Sequence, residues 1–480
     1  MSLKKNFFYS SLLTVSNYMF PMLVYPYVSR VLGVSNIGVV NFVDNLVNYF
    51  IIFSMMGIMA VGIRETAASE KDRRHLSQTF MSLFSLTAIT TIAAIVVLFV
   101  AMNVLPVLIP HKSLLTIGIV KLFFNLFLIE WFYMGIENFK YITYRSILVR
   151  SIYVASVFLF VKTPSDYHIY YLLTVATIVV NAIINVAYSL NYVDYNFHLV
   201  KLRLFSKPFI TMGLYMVLTN FYTSFNVVWL GLVTNTDEVG YFTTATKLHT
   251  IIMAVLLSFA NILFPRMSSL LAEGKREEYF EKISISFDAI FLFAFPTLIF
   301  LLVAGPDLLR LIVGAGYEGA YLSLRIISPL VLVIGAEQIL VMQILIAMHQ
   351  DKTVLCNSLL GAATALLCNI AITSESGAAG AAVAWCMAEI CILVVSAFCV
   401  QRDFHYTIPY KRLSAYAVAY TPLLILSIFI YYFMDSSVFA MPAVALITVL
   451  YSLVNEIYIL RNKVAIQLYS LISNHCHRMK

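Results

Sequence analysis

The sequence predicts an all-α membrane protein: a polytopic bundle of about fourteen transmembrane helices, two pseudo-symmetric six-helix lobes plus two C-terminal helices. Three observations carry this expectation. Of 480 residues, 61% are hydrophobic and only 11% charged, whereas a soluble chain carries about 25% charged residues. Mean hydropathy is +0.88. The 31 basic and 24 acidic side chains gather in short clusters, separated by apolar runs of about 20 residues, the length a helix needs to cross roughly 30 Å of hydrocarbon. These figures exclude a soluble enzyme, a disordered chain and a fibrous protein. They also oppose an outer-membrane barrel, whose strands alternate apolar and polar over about 10 residues.

The runs fall near 7–28, 40–62, 77–101, 113–136, 139–162, 169–192, 209–232, 241–264, 282–303, 319–345, 354–373, 377–400, 413–433 and 438–460. The first follows Lys4 and Lys5 without a small-residue cleavage site and reads as an uncleaved span. It carries Ser10, Thr14 and Asn17, and Pro21 and Pro26 are expected to bend it. The second carries Asn41, Asp44, Asn45 and Asn48 on one helical face. Such a stripe lines water or bonds a neighbouring helix; it does not face lipid. The fourth holds Lys121 and Asn125, the fifth Arg145 and Arg150. The eighth repeats a polar face with Thr243, Thr246, Lys247 and Thr250, and the tenth holds Arg325 and Glu337. Glu389 lies in the twelfth. A cation at mid-bilayer costs at least about 2.5–3.5 kcal/mol on insertion scales, so the in-span cations face a wet cavity, pair with an acid or snorkel. The deep acids Asp44, Glu337 and Glu389 either pair with a cation or carry a coupling proton or sodium ion. Five of the six cysteines sit in late spans with no metal-ligand spacing, the pattern of small core residues.

Loop charge sets orientation. Of the 31 cations, 22 fall on the side of the N-terminus and four (Arg30, Lys112, Lys162, Arg310) on the other. By the positive-inside rule both termini are cytoplasmic, and the net charge of +7 reflects topology and not nucleic-acid binding. Leu32-Gly33 to Gly38, then a span, then Arg64 is echoed by Leu232-Val233 to Gly240, a span, and Arg266. Both Gly-to-Arg intervals are 26 positions. An offset of six spans keeps the copies parallel, a design known among transporters. The expected organisation is an N-terminal lobe at 1–200, a C-terminal lobe at 201–405, and extra helices with a tail at 406–480. There is no GxSxG, HExxH or Walker loop, and isolated histidines such as His111, His168 and His249 form no catalytic cluster.

Pro26-Tyr27-Val28-Ser29-Arg30-Val31-Leu32-Gly33, continued by Gly62-Ile63-Arg64-Glu65-Thr66-Ala67, resembles the N-terminal signature of Wzx-type polysaccharide-repeat flippases. These belong to the multidrug/oligosaccharidyl-lipid/polysaccharide exporter superfamily. Glu130-Trp131-Phe132-Tyr133-Met134-Gly135 through Thr143 is similar to the same family's span 4–5 junction. Phe264-Pro265-Arg266-Met267-Ser268 resembles its span 8–9 loop, and Lys247 falls where such proteins often have a lysine. The resemblance implies a non-enzymatic flippase moving undecaprenyl-pyrophosphate-linked oligosaccharide across a bacterial inner membrane by alternating access. It implies membrane lipids and a polysaccharide polymerase complex as partners, no cofactor, and a proton or sodium gradient as the candidate drive. Under it, Lys121, Arg150, Lys247 and Arg325 line a cationic lumen, and Arg64, Arg266 and Arg30 stand at its mouths. Asn41, Asp44, Asn45 and Asn48 line it with polar groups. A cation-coupled multidrug exporter or a lipid II flippase of the same superfamily is the alternative. A membrane glycosyl polymerase or ligase calls for a long outer loop, which is not seen.

Overall fold

A computed structural model of the chain describes residues 3–69, 72–434, 437–467 and 469–470; side chains at 215–224 and through most of 255–272 are outside the description. Among the described residues there is no strand. Helix is the expected solution in lipid, because it satisfies every backbone N–H and C=O within one segment. By its own contacts the chain divides into Met1–Gly240 and Tyr241–Lys480.

The first unit contains α1 (Leu3–Met55), α2 (Ile58–Ser69), α3 (Arg73–Val104), α4 (Lys112–Asn125), α5 (Glu130–Gly135), α6 (Phe139–Phe160), α7 (Tyr167–Ser189) and α8 (Leu202–Val233). α9 (Thr236–Ala272) begins in it and continues into the second unit. The second unit adds α10 (Arg276–Val313), α11 (Ala320–Ile327), α12 (Leu330–Gln338), α13 (Asp351–Cys368), α14 (Ser374–Phe404), α15 (Tyr410–Phe433) and α16 (Ser437–Val454). Several apolar runs are divided between elements. α1 contains two crossings joined at Gly33, whose φ of 76° and ψ of 170° interrupt it. Pro21 and Pro26, expected to bend the first span, stay inside the helix, and Gly33 is where the non-helical backbone falls. Gly377 (φ 53°) plays the same part in α14. Pro329 separates α11 from α12, and π-helical turns at Ile339–Ile346, Asn369–Thr373 and Asn455–Ile459 extend α12, α13 and α16. Counted this way, the described helices make the fourteen expected crossings.

Two breaks were not foreseen. The second span is interrupted at Met56 (φ 36°) and the fourth at Ile129 (φ 38°). At the second break the amide of Asn185, on α7, donates to the freed carbonyl of Leu128. This answers the cost of an unpaired backbone carbonyl in a membrane interior. The broken ends also bring two sequence motifs together. A Cβ on Gly62 would lie 2.6 Å from the Trp131 ring, and one on Gly135 would lie 2.6 Å from Thr66 Cβ. The core of this unit is built on that contact: Trp131 stacks on Phe80 at 5.6 Å, with Ile58, Val61, Phe132 and Phe209 around it. The core of the second unit gathers Tyr279, Phe287, Phe291, Phe295, Tyr416 and Tyr420, which draws α15 against α10. Exposed Val96, Val97, Phe99 and Val100 on α3, and Leu148, Ile152 and Leu159 on α6, form apolar faces suited to lipid.

Candidate functional site

The polar residues of the first unit assemble into three groups carried by α1, α4, α5, α6 and α7. In the first, Lys121 on α4 donates to Asp44 Oδ1 at 2.6 Å and to Asn48 Oδ1 at 2.8 Å, both on α1. Asn48 also donates to Asp44 Oδ2 at 3.3 Å. Asn45 turns back to the carbonyl of Asn41, and Tyr171 places its hydroxyl beside Asp44. Helical spacing explains the arrangement: Asp44 and Asn48 are one turn apart, so both reach the same ammonium. Lys121 is buried and Asp44 is 27% exposed on its side chain, so the pair is closed on one side and open on the other.

In the second group, Arg145 on α6 bonds Glu130 Oε1 at 2.6 Å and the side-chain carbonyl of Asn185. Tyr133 donates to the Asn185 backbone carbonyl at 2.5 Å. Asn185 therefore ties α7 to the broken fourth span through Leu128 and Tyr133, and to α6 through Arg145. Sequence reasoning did not single out Asn185. Asn181 and Asn185, two asparagines one turn apart inside the sixth span, were the available signal.

The third group is the smallest. Arg150, five positions after Arg145 on α6, donates to the Ser16 hydroxyl of α1 at 3.2 Å. Its side chain is partly exposed, and among the described residues no carboxylate lies within ion-pair distance of it. Of the three in-span cations in this unit, two are held by carboxylates and Arg150 is held by a hydroxyl. A guanidinium so placed keeps most of its five donors for another acceptor, and its planar fork suits a phosphate.

In the second unit, Lys247 on α9 is half-buried and engaged by its neighbours. Arg325 on α11 is exposed and donates to the carbonyl of Leu302 at 3.2 Å. Glu337 on α12 and Glu389 on α14 are buried, and their carboxyls lie against each other. Among the residues expected at the mouths, Arg64 is exposed and pairs with Glu65 at 2.7 Å. Arg30 is exposed, at the end of α1's first leg, and also has a partner. Arg266 lies on α9, with its side chain outside those described. The structure thus brings Lys121 together with the stripe on the second span, an assignment that spacing alone left open. Within the first unit, Arg64 on α2 and Arg150 on α6 keep separate partners.

Residues 3–271 match the family model described as "Polysaccharide biosynthesis protein". An Escherichia coli (strain K12) protein named "Putative O-antigen transporter" is 26% identical over 363 residues, covering 73% of this chain and 85% of that protein. A Shigella dysenteriae protein of the same name is 24% identical over 408 residues, covering 82% of this chain and 98% of that one. Among solved structures, a lipid II flippase, MurJ, in an inward closed conformation superposes with a TM-score of 0.78 at 15% identity, over 94% of this chain and 98% of that chain. A MATE protein in complex with MaL6 superposes at 0.51 and 14% identity, over 82% and 95%. At these identities the two structures establish a shared fold.

Proposed function

We propose that this chain, which belongs to the polysaccharide biosynthesis protein family, is a flippase for undecaprenyl-pyrophosphate-linked oligosaccharide units. It works as a multi-pass protein of a bacterial inner membrane, with both termini in the cytoplasm and the units passing to the periplasmic leaflet. The curated relatives named for O-antigen transport support the substrate class. The 22-to-4 division of loop cations supports the orientation. The family and the fold are those of transporters, and the reading assigns no covalent chemistry to the chain.

One observation carries the mechanism: Arg150, inside the first unit, is bound to a hydroxyl and not to a carboxylate. A pyrophosphate crossing a low-dielectric slab loses hydration that only charge-assisted hydrogen bonds replace. Arg150 supplies such donors. Lys121 and Arg145 have theirs committed to Asp44 and Glu130, and so define the shape of the site and fix α4, α6 and α7 around it. Asn41 and Asn45, on the half-buried face of α1, present amides suited to sugar hydroxyls. The prenyl tail stays in lipid, against helix faces that are already apolar. Membrane lipids, and a polymerase that takes up the delivered unit, are the partners this reading implies.

The test is a deletion strain complemented with the intact chain. Restored surface polysaccharide, with loss of the lipid-linked unit that accumulates on the cytoplasmic leaflet, is the expected result. Unchanged accumulation in the presence of membrane-inserted protein overturns the reading.

A further inference from the structure

The second unit holds a polar group in its interior that the reading above does not use. Glu337, on α12, is 8% exposed; Glu389, on α14, is 6% exposed. Each lies near the middle of its crossing. Their carboxyls face each other. Glu389 Oε1 accepts from the indole N–H of Trp385, one turn earlier on α14, at 2.8 Å. Glu337 Oε2 is buried, and among the described residues no donor bonds to it. His249 on α9 is 1% exposed, packs edge-on against Trp385 at 5.4 Å between ring centres, and has a buried Nε2 that finds no partner among the described residues.

Two ionised carboxylates in contact inside a membrane helix bundle repel strongly unless a cation or a proton lies between them. Four described groups on the surrounding elements have partners outside the pair. Asp288 on α10 bonds Arg412 at 3.0 Å, and Arg325 on α11 turns to Leu302. Cys386 on α14 donates to the Ile326 carbonyl at 3.1 Å, and on α13 Asn357 donates to Ser396 at 2.8 Å. Lys247 precedes His249 by two positions on α9 and has a partner of its own. Among the described residues no trio of His, Cys, Asp or Glu could hold a metal ion.

We infer that Glu337 and Glu389 form a proton-binding site of the second unit, with one proton shared between the two carboxyls. Trp385 positions it through its bond to Glu389, and His249 packs against the Trp385 ring. Loading forms one O–H bond and leaves the pair with a single negative charge. Release breaks that bond, passes the proton to water and leaves two carboxylates that must separate or become wet. The site's occupancy is therefore tied to the packing of α12 against α14, two helices in direct contact. Use of this proton to drive translocation rests on the proposed transport function; binding of the proton does not.

The experiment is infrared difference spectroscopy on the purified full chain in lipid nanodiscs, stepping the pH in sodium chloride and then in choline chloride. The wild type is expected to show a protonated-carboxyl C=O band that disappears as the pH rises, identically in both salts. E337Q/E389Q should lack it. If the double variant fails gel filtration, Glu337→Gln and Glu389→Gln are read singly, and each should shift the band. A wild-type band in the variants, or a band abolished by sodium at constant pH, overturns the inference. Surface polysaccharide in the same variants reads the coupling. Wild-type polymer in a variant that has lost the band removes the coupling role, whereas failure of the flippase reading itself shows in the intact complemented strain.

Discussion

Replacing Asp44 by Asn should destabilise the first unit more than removing the whole pair. Lys121 Nζ makes two short bonds, lying 2.6 Å from Asp44 and 2.8 Å from Asn48. The lysine side chain is 7% exposed and that of the aspartate 27%. Breaking a buried pair by removing one partner costs about 3–5 kcal/mol, because the other charge is left uncompensated. The partial exposure of Asp44 and the remaining bond to Asn48 place Asp44→Asn at the lower end, about 3 kcal/mol, roughly 100-fold in the folded-to-unfolded ratio. Lys121→Met leaves Asp44 closer to water and should cost less, about 2 kcal/mol. The double variant leaves no buried charge and should lie within about 1 kcal/mol of the wild type, so the coupling approaches 4 kcal/mol. The assay is SDS-induced unfolding of the purified chain in mild detergent, for all four members of the cycle. Additive single effects, or an Asp44→Asn variant as stable as the wild type, would refute the view that this pair holds α1 against α4.

Asn185→Leu removes the donor to Leu128 and the acceptor for Arg145 together, and should cost about 2–4 kcal/mol in the same unfolding assay. Gly38→Ala should sharply reduce folded protein in membranes, measured by fluorescence-detected gel filtration. Its new Cβ would meet the Thr236 carbonyl oxygen at 1.8 Å, and no side chain can move to relieve a backbone clash. Gly62→Ala should be milder, because its obstacle is the Trp131 ring at 2.6 Å, and Trp131→Leu in the same chain should recover part of the loss.

Hydropathy reached most of this fold because each crossing must be a long apolar helix, and length alone locates such segments. It could not find Met56 and Ile129, where the chain turns left-handed within runs that remain apolar. Those breaks depend on partners distant in sequence, such as Asn185 against Leu128. The site was legible by residue type: every in-span cation came from the cost of burying it. Which acid met which cation was not legible. Asp44 and Lys121 are 77 positions apart, and only the packing of α1 on α4 joins them. The motifs Gly62 to Ala67 and Glu130 to Gly135 were readable as a family resemblance. Their physical reason, the fit of Trp131 and Thr66 against Gly62 and Gly135, needed the structure.

The most direct measurement is surface polysaccharide in a deletion strain carrying Arg150→Gln or Arg150→Lys at matched membrane levels. Ser16 is the only described hydrogen-bond partner of this guanidinium, so neither change strands a carboxylate and both proteins should fold. Losing one charge-assisted contact costs roughly 1.5–3 kcal/mol, so polymer export should fall about 10- to 100-fold in the Gln variant. The Lys variant should recover part of it. Full export from the Gln variant would contradict the claim that Arg150 meets the anionic headgroup.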